Sequence, residues 1–152
     1  MIKNLFIFLV LNFGALAIGG FFTGSGVSSE WYSNLSKAPW TPPGWVFGAA
    51  WTIIMIAYSI YMASLLQTSL NKNSIIALFV LQWILNVAWN PLFFHYHSTG
   101  IALISISALT ILIGFFMVKF YGQLNFKSFL IAPYFLWLLI ATSLNAYILI
   151  KN

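Results

Sequence analysis

The chain has 152 residues, 62% of them hydrophobic and 5% charged, with a mean hydropathy of +0.97. Its charged side chains are six lysines (Lys3, Lys37, Lys72, Lys119, Lys127 and Lys151) and a single acid, Glu30, and there is no cysteine. A soluble domain carries about a quarter charged residues, so the composition excludes a water-facing globular protein, a disordered one, disulfides, thiolate metal sites and any mechanism that needs two carboxylates.

A bilayer core of about 30 Å is crossed by about 20 apolar residues at 1.5 Å each. The charges divide the chain into uncharged stretches at 4–29, 38–71, 73–118 and 128–150. The third is too long for one span and divides at the polar turn His95-Tyr96-His97-Ser98-Thr99-Gly100. The expectation is an all-α integral membrane bundle, one domain over 1–152, with helices at about 2–22, 44–67, 74–94, 99–120 and 128–150. Apolar segments of this length exceed the strand of a transmembrane β-barrel.

In the first segment, Lys3, an apolar run and Ala15-Leu16-Ala17 imitate a secretory signal; with Met1 ahead of them, a retained first helix is expected. Residues 23–43 form a long loop, Gly/Ser-rich in its first half and carrying Trp31, Trp40, Pro39, Pro42 and Pro43 in its second. Prolines fix φ, and Pro42-Pro43 ahead of Gly44-Trp45 suits a helix start. The aromatics argue against disorder, so this loop reads as an ordered lid. In helix 2, Gly44-x3-Gly48 is a small-residue pair of the kind that packs helices closely or dimerises them, as is Ala15-x3-Gly19 in helix 1.

Depth from the lid end follows from 1.5 Å per residue. Trp51 of helix 2 lies about 11 Å in. On helix 3, Trp89 is about 8 Å deep, while Asn90, Asn86 and Gln82 share one face at about 6, 12 and 18 Å. On helix 5, Trp137, Ala141 and Asn145 share a face, with Asn145 about 8 Å and Trp137 about 20 Å deep. Polar side chains in hydrocarbon must face the bundle interior. Most of these groups therefore converge on a pocket beneath the lid, or serve as interhelical glue. Trp31, Trp40 and Trp45 fit either the lid or an aromatic belt at the membrane surface. Pro91 and Pro133 are expected to kink or start helices, and His95 and His97, with no acidic neighbour, are not expected to hold metal or haem iron. Lys3, Lys72, Lys119 and Lys127 fall at the N-terminal end and Lys37 and Lys151 at the other, which by the positive-inside rule makes the N-terminal end cytoplasmic.

The run Trp31-Tyr32-x2-Leu35-x-Lys37-x-Pro39-Trp40-x-Pro42-Pro43-Gly44-Trp45-x-Phe47-x3-Trp51-Thr52 resembles the signature of the TspO/MBR family, the tryptophan-rich sensory and translocator proteins. Gln82-x3-Asn86-x2-Trp89-x-Pro91-Leu92-Phe93-Phe94 and Pro133-Tyr134-x2-Trp137-x3-Ala141-x2-Leu144-Asn145 are similar to its later helices. The resemblance implies a five-helix bundle in a bacterial cell membrane, commonly a homodimer. The implied ligands are protoporphyrin IX, haem and related tetrapyrroles or other small hydrophobic molecules, with no obligatory cofactor, no bound metal and no nucleic-acid partner. Carried over by motif, the ligand-binding positions are Tyr32, Pro42, Trp51, Asn86, Trp89, Asn90, Trp137 and Ala141. Trp51 and Trp137 match tryptophans linked to light-dependent porphyrin degradation. Ser105 stands where many members have an acid, and Met55 where aromatics are common. The pattern Leu144-x2-Tyr147-x3-Lys151 does not reproduce the animal sterol motif.

Three functions follow. The first is tetrapyrrole binding with a sensory or stress-regulatory role. The second is light- and oxygen-dependent porphyrin degradation through Trp51 and Trp137. The third is passive transport of porphyrins or hydrophobic molecules. No acid–base pair or activated nucleophile is visible, and no acid lies within a span to drive proton-coupled pumping. The net charge of +5 favours propionate-bearing ligands, with Lys37 on the lid the nearest cation.

Overall fold

The structure is a computed structural model that describes residues 1–68 and 70–152. Five helices are long and apolar enough to cross a membrane: α1 (Ile2–Val27), α3 (Gly44–Leu65), α4 (Lys72–Asn90), α5 (Thr99–Lys119) and α7 (Ala132–Lys151). Two short helices join them, α2 (Glu30–Asn34) in the first connection and α6 (Tyr121–Leu124) in the last. A π-helical turn, Pro91–His95, extends α4, and a 3-10 stretch, Asn125–Ile131, leads into α7. The spans pack as a closed ring in the order α3, α1, α4, α5, α7 and back to α3.

Several boundaries differ from expectation, each for a local reason. Helix α1 runs on to Val27 through residues assigned to the loop. Ser25 and Ser28 donate their hydroxyls to carbonyls three and four residues back, which adds hydrogen bonds within the last turns despite Gly24 and Gly26. The lid then contains its own helix: the Ser29 hydroxyl accepts from the Tyr32 N–H, and Glu30 sits in the first turn, where the helix dipole favours an anion. The fifth span begins at Ala132 rather than 128, with Pro133 in its first turn where a missing N–H costs nothing. Pro91 likewise marks the change from α-helical to π-helical turns in α4.

The small-residue pairs divide. Ala15 and Gly19 are buried, and a Cβ on Gly19 would stand 2.6 Å from the Asn90 Nδ2, so this pair does pack α1 against α4. Gly44 and Gly48 meet nothing within 4 Å, so within the chain they pack no helix.

At the N-terminal end the core is closed by side chains that are completely buried: Met55, Tyr58, Tyr61 and Met62 of α3, Ile113 and Phe116 of α5, and Tyr134 and Leu138 of α7. The Tyr61 hydroxyl donates to the Phe116 carbonyl at 3.0 Å, and the Gln82 amide donates to the Tyr134 hydroxyl at 2.7 Å. A second, smaller cluster, formed by Phe93, Phe94, Ala102 and Ile148, lies under the lid.

Candidate functional site

The lid is fastened at three places. Trp31 stacks on His97 with ring centroids 4.0 Å apart and packs edge-on against Phe93. Trp40 donates its indole N–H to the Ser143 hydroxyl at 3.1 Å and meets the Tyr147 ring. The Ser36 N–H donates to the Asn152 side chain at 2.8 Å, tying the lid to the C-terminus. Gly26 makes the hinge side of this closure, because Phe94 occupies the space a Cβ would need. Trp31 and Trp40 are therefore lid anchors, whereas Trp45, 75% exposed, stands where an aromatic belt would place it.

Beneath the lid lies a cavity of about 50 Å³. Its roof is Tyr32, Lys37 and Thr41, its walls are Trp89, Phe93 and Phe94 on one side and Leu144, Asn145 and Ile148 on the other, and Phe47 and Ala141 complete it. The Lys37 ammonium lies 4.6 Å from the centre of the Tyr32 ring and donates to the Ser33 and Leu35 carbonyls at 3.4 and 3.5 Å. It is the one charged side chain of the lining. Burial holds the Tyr32 phenol above its ordinary range, so it is neutral at physiological pH.

Of the residues singled out by sequence, Tyr32, Trp89 and Ala141 come together at this cavity, while Pro42, Trp51, Asn86, Asn90 and Trp137 are not among its lining. Trp137 packs edge-on against the wall residue Phe47 at 5.2 Å, and Trp51 against Tyr134 at 5.8 Å. Trp137 thus stands behind the cavity wall, and Trp51 against the tyrosine core. Asn90 accepts from the Thr23 hydroxyl at 2.8 Å and donates to the Asn86 carbonyl at 3.3 Å, which makes it a tie between α1 and α4. Asn145 accepts from the Trp89 indole at 3.0 Å and donates to the Thr99 carbonyl at 2.9 Å, fixing the wall it also lines. The amide stripe on α4 thus serves mostly as interhelical glue. Met55 is buried in the tyrosine core and lies away from the cavity, and Ser105 donates to the Leu85 carbonyl at 3.3 Å.

Sequence reasoning placed Asn145 among the groups converging beneath the lid, but missed Thr41, Phe47, Phe93, Phe94, Leu144 and Ile148 as lining residues. Leu144 and Ile148 continue the face of Ala141 at helical spacing, a signal that was available. Phe93 and Phe94 are aimed by the π-helical turn, which shifts the register after Asn90 and has no counterpart in α-helical counting. Among the described residues no group of three His, Cys, Asp or Glu side chains could hold a metal ion.

Chemically, the cavity offers aromatic walls, the Lys37 ammonium, the Asn145 amide and the hydroxyl-bearing side chains of Tyr32 and Thr41. Comparison with known proteins agrees with this membrane setting. Residues 6–150 match the TspO/MBR family. The chain is 35% identical over 128 residues to the tryptophan-rich protein TspO of Chlorobaculum tepidum, covering 82% of this chain and 81% of that one. It is 34% identical over 135 residues to TspO of Archaeoglobus fulgidus, covering 88% and 87%. It is also 31% identical over 134 residues to the human translocator protein, covering 83% and 79%. With five apolar spans, a lid built on the tryptophan- and proline-rich run, and a match over nearly its whole length, this chain is an integral membrane protein that belongs to the TspO/MBR family.

Proposed function

We propose that the protein binds protoporphyrin IX, haem or a related flat hydrophobic molecule beneath the 23–43 lid, and that occupancy of this site serves a sensory or stress-regulatory role. The supporting observation is the lining itself: aromatic rings on the walls with a single cation, Lys37, at the roof. Aromatic faces suit a macrocycle, and an ammonium suits its propionates. Ligand sites commonly measure about 300–1,000 Å³, so the closed cavity of about 50 Å³ holds a tetrapyrrole only after the lid lifts. The lid's fastenings are exchangeable stacking and hydrogen bonds, which permits such opening.

Titration of the detergent-solubilised protein with protoporphyrin IX tests this, with tryptophan quenching as the signal. Saturable quenching is expected, weakened about fivefold by Lys37→Gln, the loss of one partly screened charge pair. A disulfide between Ser36→Cys and Asn152→Cys, which join the lid to the C-terminus in a chain with no other cysteine, should block binding until it is reduced. Binding that ignores both changes would remove the lid pocket as the site.

A second reading, photo-oxidative degradation of bound porphyrin, draws support from Trp137, which is one ring behind the cavity wall. Illuminated porphyrin should then bleach faster with the unaltered protein than with Trp137→Phe or Trp51→Phe. Passive transport draws less support, since the buried tyrosine core at the N-terminal end would have to part. For assembly, the open Gly44 and Gly48 face of α3 is offered to a second copy, and crosslinking through Gly48→Cys would report a homodimer. The lysine distribution favours a cytoplasmic N-terminus.

A further inference from the structure

A cavity larger than the one beneath the lid lies at the opposite end of the bundle. There α5 ends at Lys119, the chain turns through α6 and Asn125, whose φ of 49° is left-handed, and the 3-10 stretch returns it to α7. The groove between these elements measures about 420 Å³ and is walled by Met117, Val118, Tyr121, Ser128, Phe129 and Ala132. That volume lies within the range of small-molecule sites. Its walls are almost wholly apolar: the Ser128 hydroxyl is already donated to the Tyr121 carbonyl at 3.2 Å. Val118, Tyr121 and Phe129 are 78%, 55% and 60% exposed, so the groove opens sideways at the end of the spans.

Charge identifies what this groove accepts. Lys119 adjoins Val118 and Lys127 adjoins Ser128, and both lysines are exposed. The only acidic side chain of the protein, Glu30, is in α2 on the lid, across the membrane from them. Neither ammonium can therefore be neutralised by an acidic side chain within the chain. An exposed slot of apolar surface at the end of the spans, with an exposed lysine next in sequence to each of two of its wall residues and Tyr121 on its wall, matches an acyl chain below a phosphate.

We propose that this groove is a binding site for one anionic phospholipid, with an acyl chain along Val118, Phe129 and Ala132 and the headgroup phosphate held by Lys119 and Lys127. A zwitterionic lipid brings its own ammonium, which competes with both lysines. A soluble anion lacks the chain that fills the groove.

Native mass spectrometry of the full chain, titrated with phosphatidylglycerol and separately with phosphatidylcholine, tests the site. Each near-surface lysine is worth about fivefold toward an anionic lipid, so a first phosphatidylglycerol should bind at least tenfold more tightly than phosphatidylcholine. Lys119→Gln with Lys127→Gln should bring the two lipids within about twofold, while Lys119→Arg with Lys127→Arg should retain the preference. Val118→Trp, which fills the groove from an exposed position, should weaken the first phosphatidylglycerol while both lysines remain. Glycerol 3-phosphate, which has the headgroup charge without the chain, should not displace the lipid. The proposal is overturned if the unaltered protein binds both lipids equally, or if the preference survives the double Gln variant. It is also overturned if Lys3→Gln with Lys72→Gln abolishes the preference as fully, since diffuse charge at that end would then account for it.

Discussion

Helix α3 passes through two environments, and the contrast between them organises the molecule. From Ile54 to Leu65 most of it is enclosed, Ile56 being the exposed exception: Met55, Tyr58, Tyr61 and Met62 have no exposed surface, and even Ser59 and Ser64 are buried. From Gly44 to Ile53 it is half-buried or exposed, with Trp45 and Ile53 turned outward and only Phe47 reaching the lid cavity. Bulky rings fill the N-terminal end, where Tyr58 meets Tyr61, Phe79, Phe116 and Tyr134. At the lid end the corresponding space is left to a small cavity covered by the lid. One half is therefore closely packed, and the other retains a void. The same sequence of spans serves both because only the side chains differ.

The largest expected effect tests the closely packed half. Phe116→Ala should lower stability by about 3–5 kcal/mol, the cost of a cavity in a closed core. Phe47→Ala, at a wall that already borders a void, should cost about 1–2 kcal/mol, because less packing is lost. Thermal unfolding in the same detergent compares the two, and equal losses would erase the distinction between the halves. Next comes the hinge side of the lid. Gly26→Val places a side chain where Phe94 sits, which should cost about 1–3 kcal/mol of overpacking. It should also separate Trp31 from His97, read as a change in tryptophan emission or faster proteolysis within 28–43.

Smaller effects probe the polar groups of the closed half. Gln82→Leu removes the donor to the Tyr134 hydroxyl and should cost about 0.6–1.7 kcal/mol, the range for hydrogen bonds between membrane helices. Tyr58 should behave differently. Its hydroxyl is buried with no hydrogen-bond partner among the described residues. Tyr58→Phe should therefore be neutral or stabilising by up to about 1 kcal/mol. A clear loss of stability on that substitution would mean that the hydroxyl has a bridging water as its partner.

How much of this was legible in advance can be seen in individual residues. The five spans, the turn at His95–Gly100 and the lid were readable, because charge cannot be left in hydrocarbon and the uncharged lengths match bilayer thickness. Lys37 could be named as the nearest cation because so few cations exist. The roles of the amides could not be separated, since Asn86, Asn90 and Asn145 carry the same chemistry at similar depth. Only packing makes Asn90 a tie to Thr23 and Asn145 a support for Trp89. Likewise, Gly24, Ser25 and Gly26 read as loop by composition, yet the serine hydroxyls and the close fit of Phe94 keep them helical.

By itself, the sequence determined the solvent, the number of crossings and the family, through the scarcity of charge and the tryptophan- and proline-rich run after helix 1. The tertiary structure decided which apolar face points inward, and hence that Trp137 stands behind the cavity wall and Trp51 against Tyr134, while Phe47, Phe93 and Phe94 line the cavity. The physical reason is that lipid tails are as apolar as a protein core. A membrane helix therefore carries little hydrophobic asymmetry to record its orientation, and its inward face is chosen by the shapes of its neighbours.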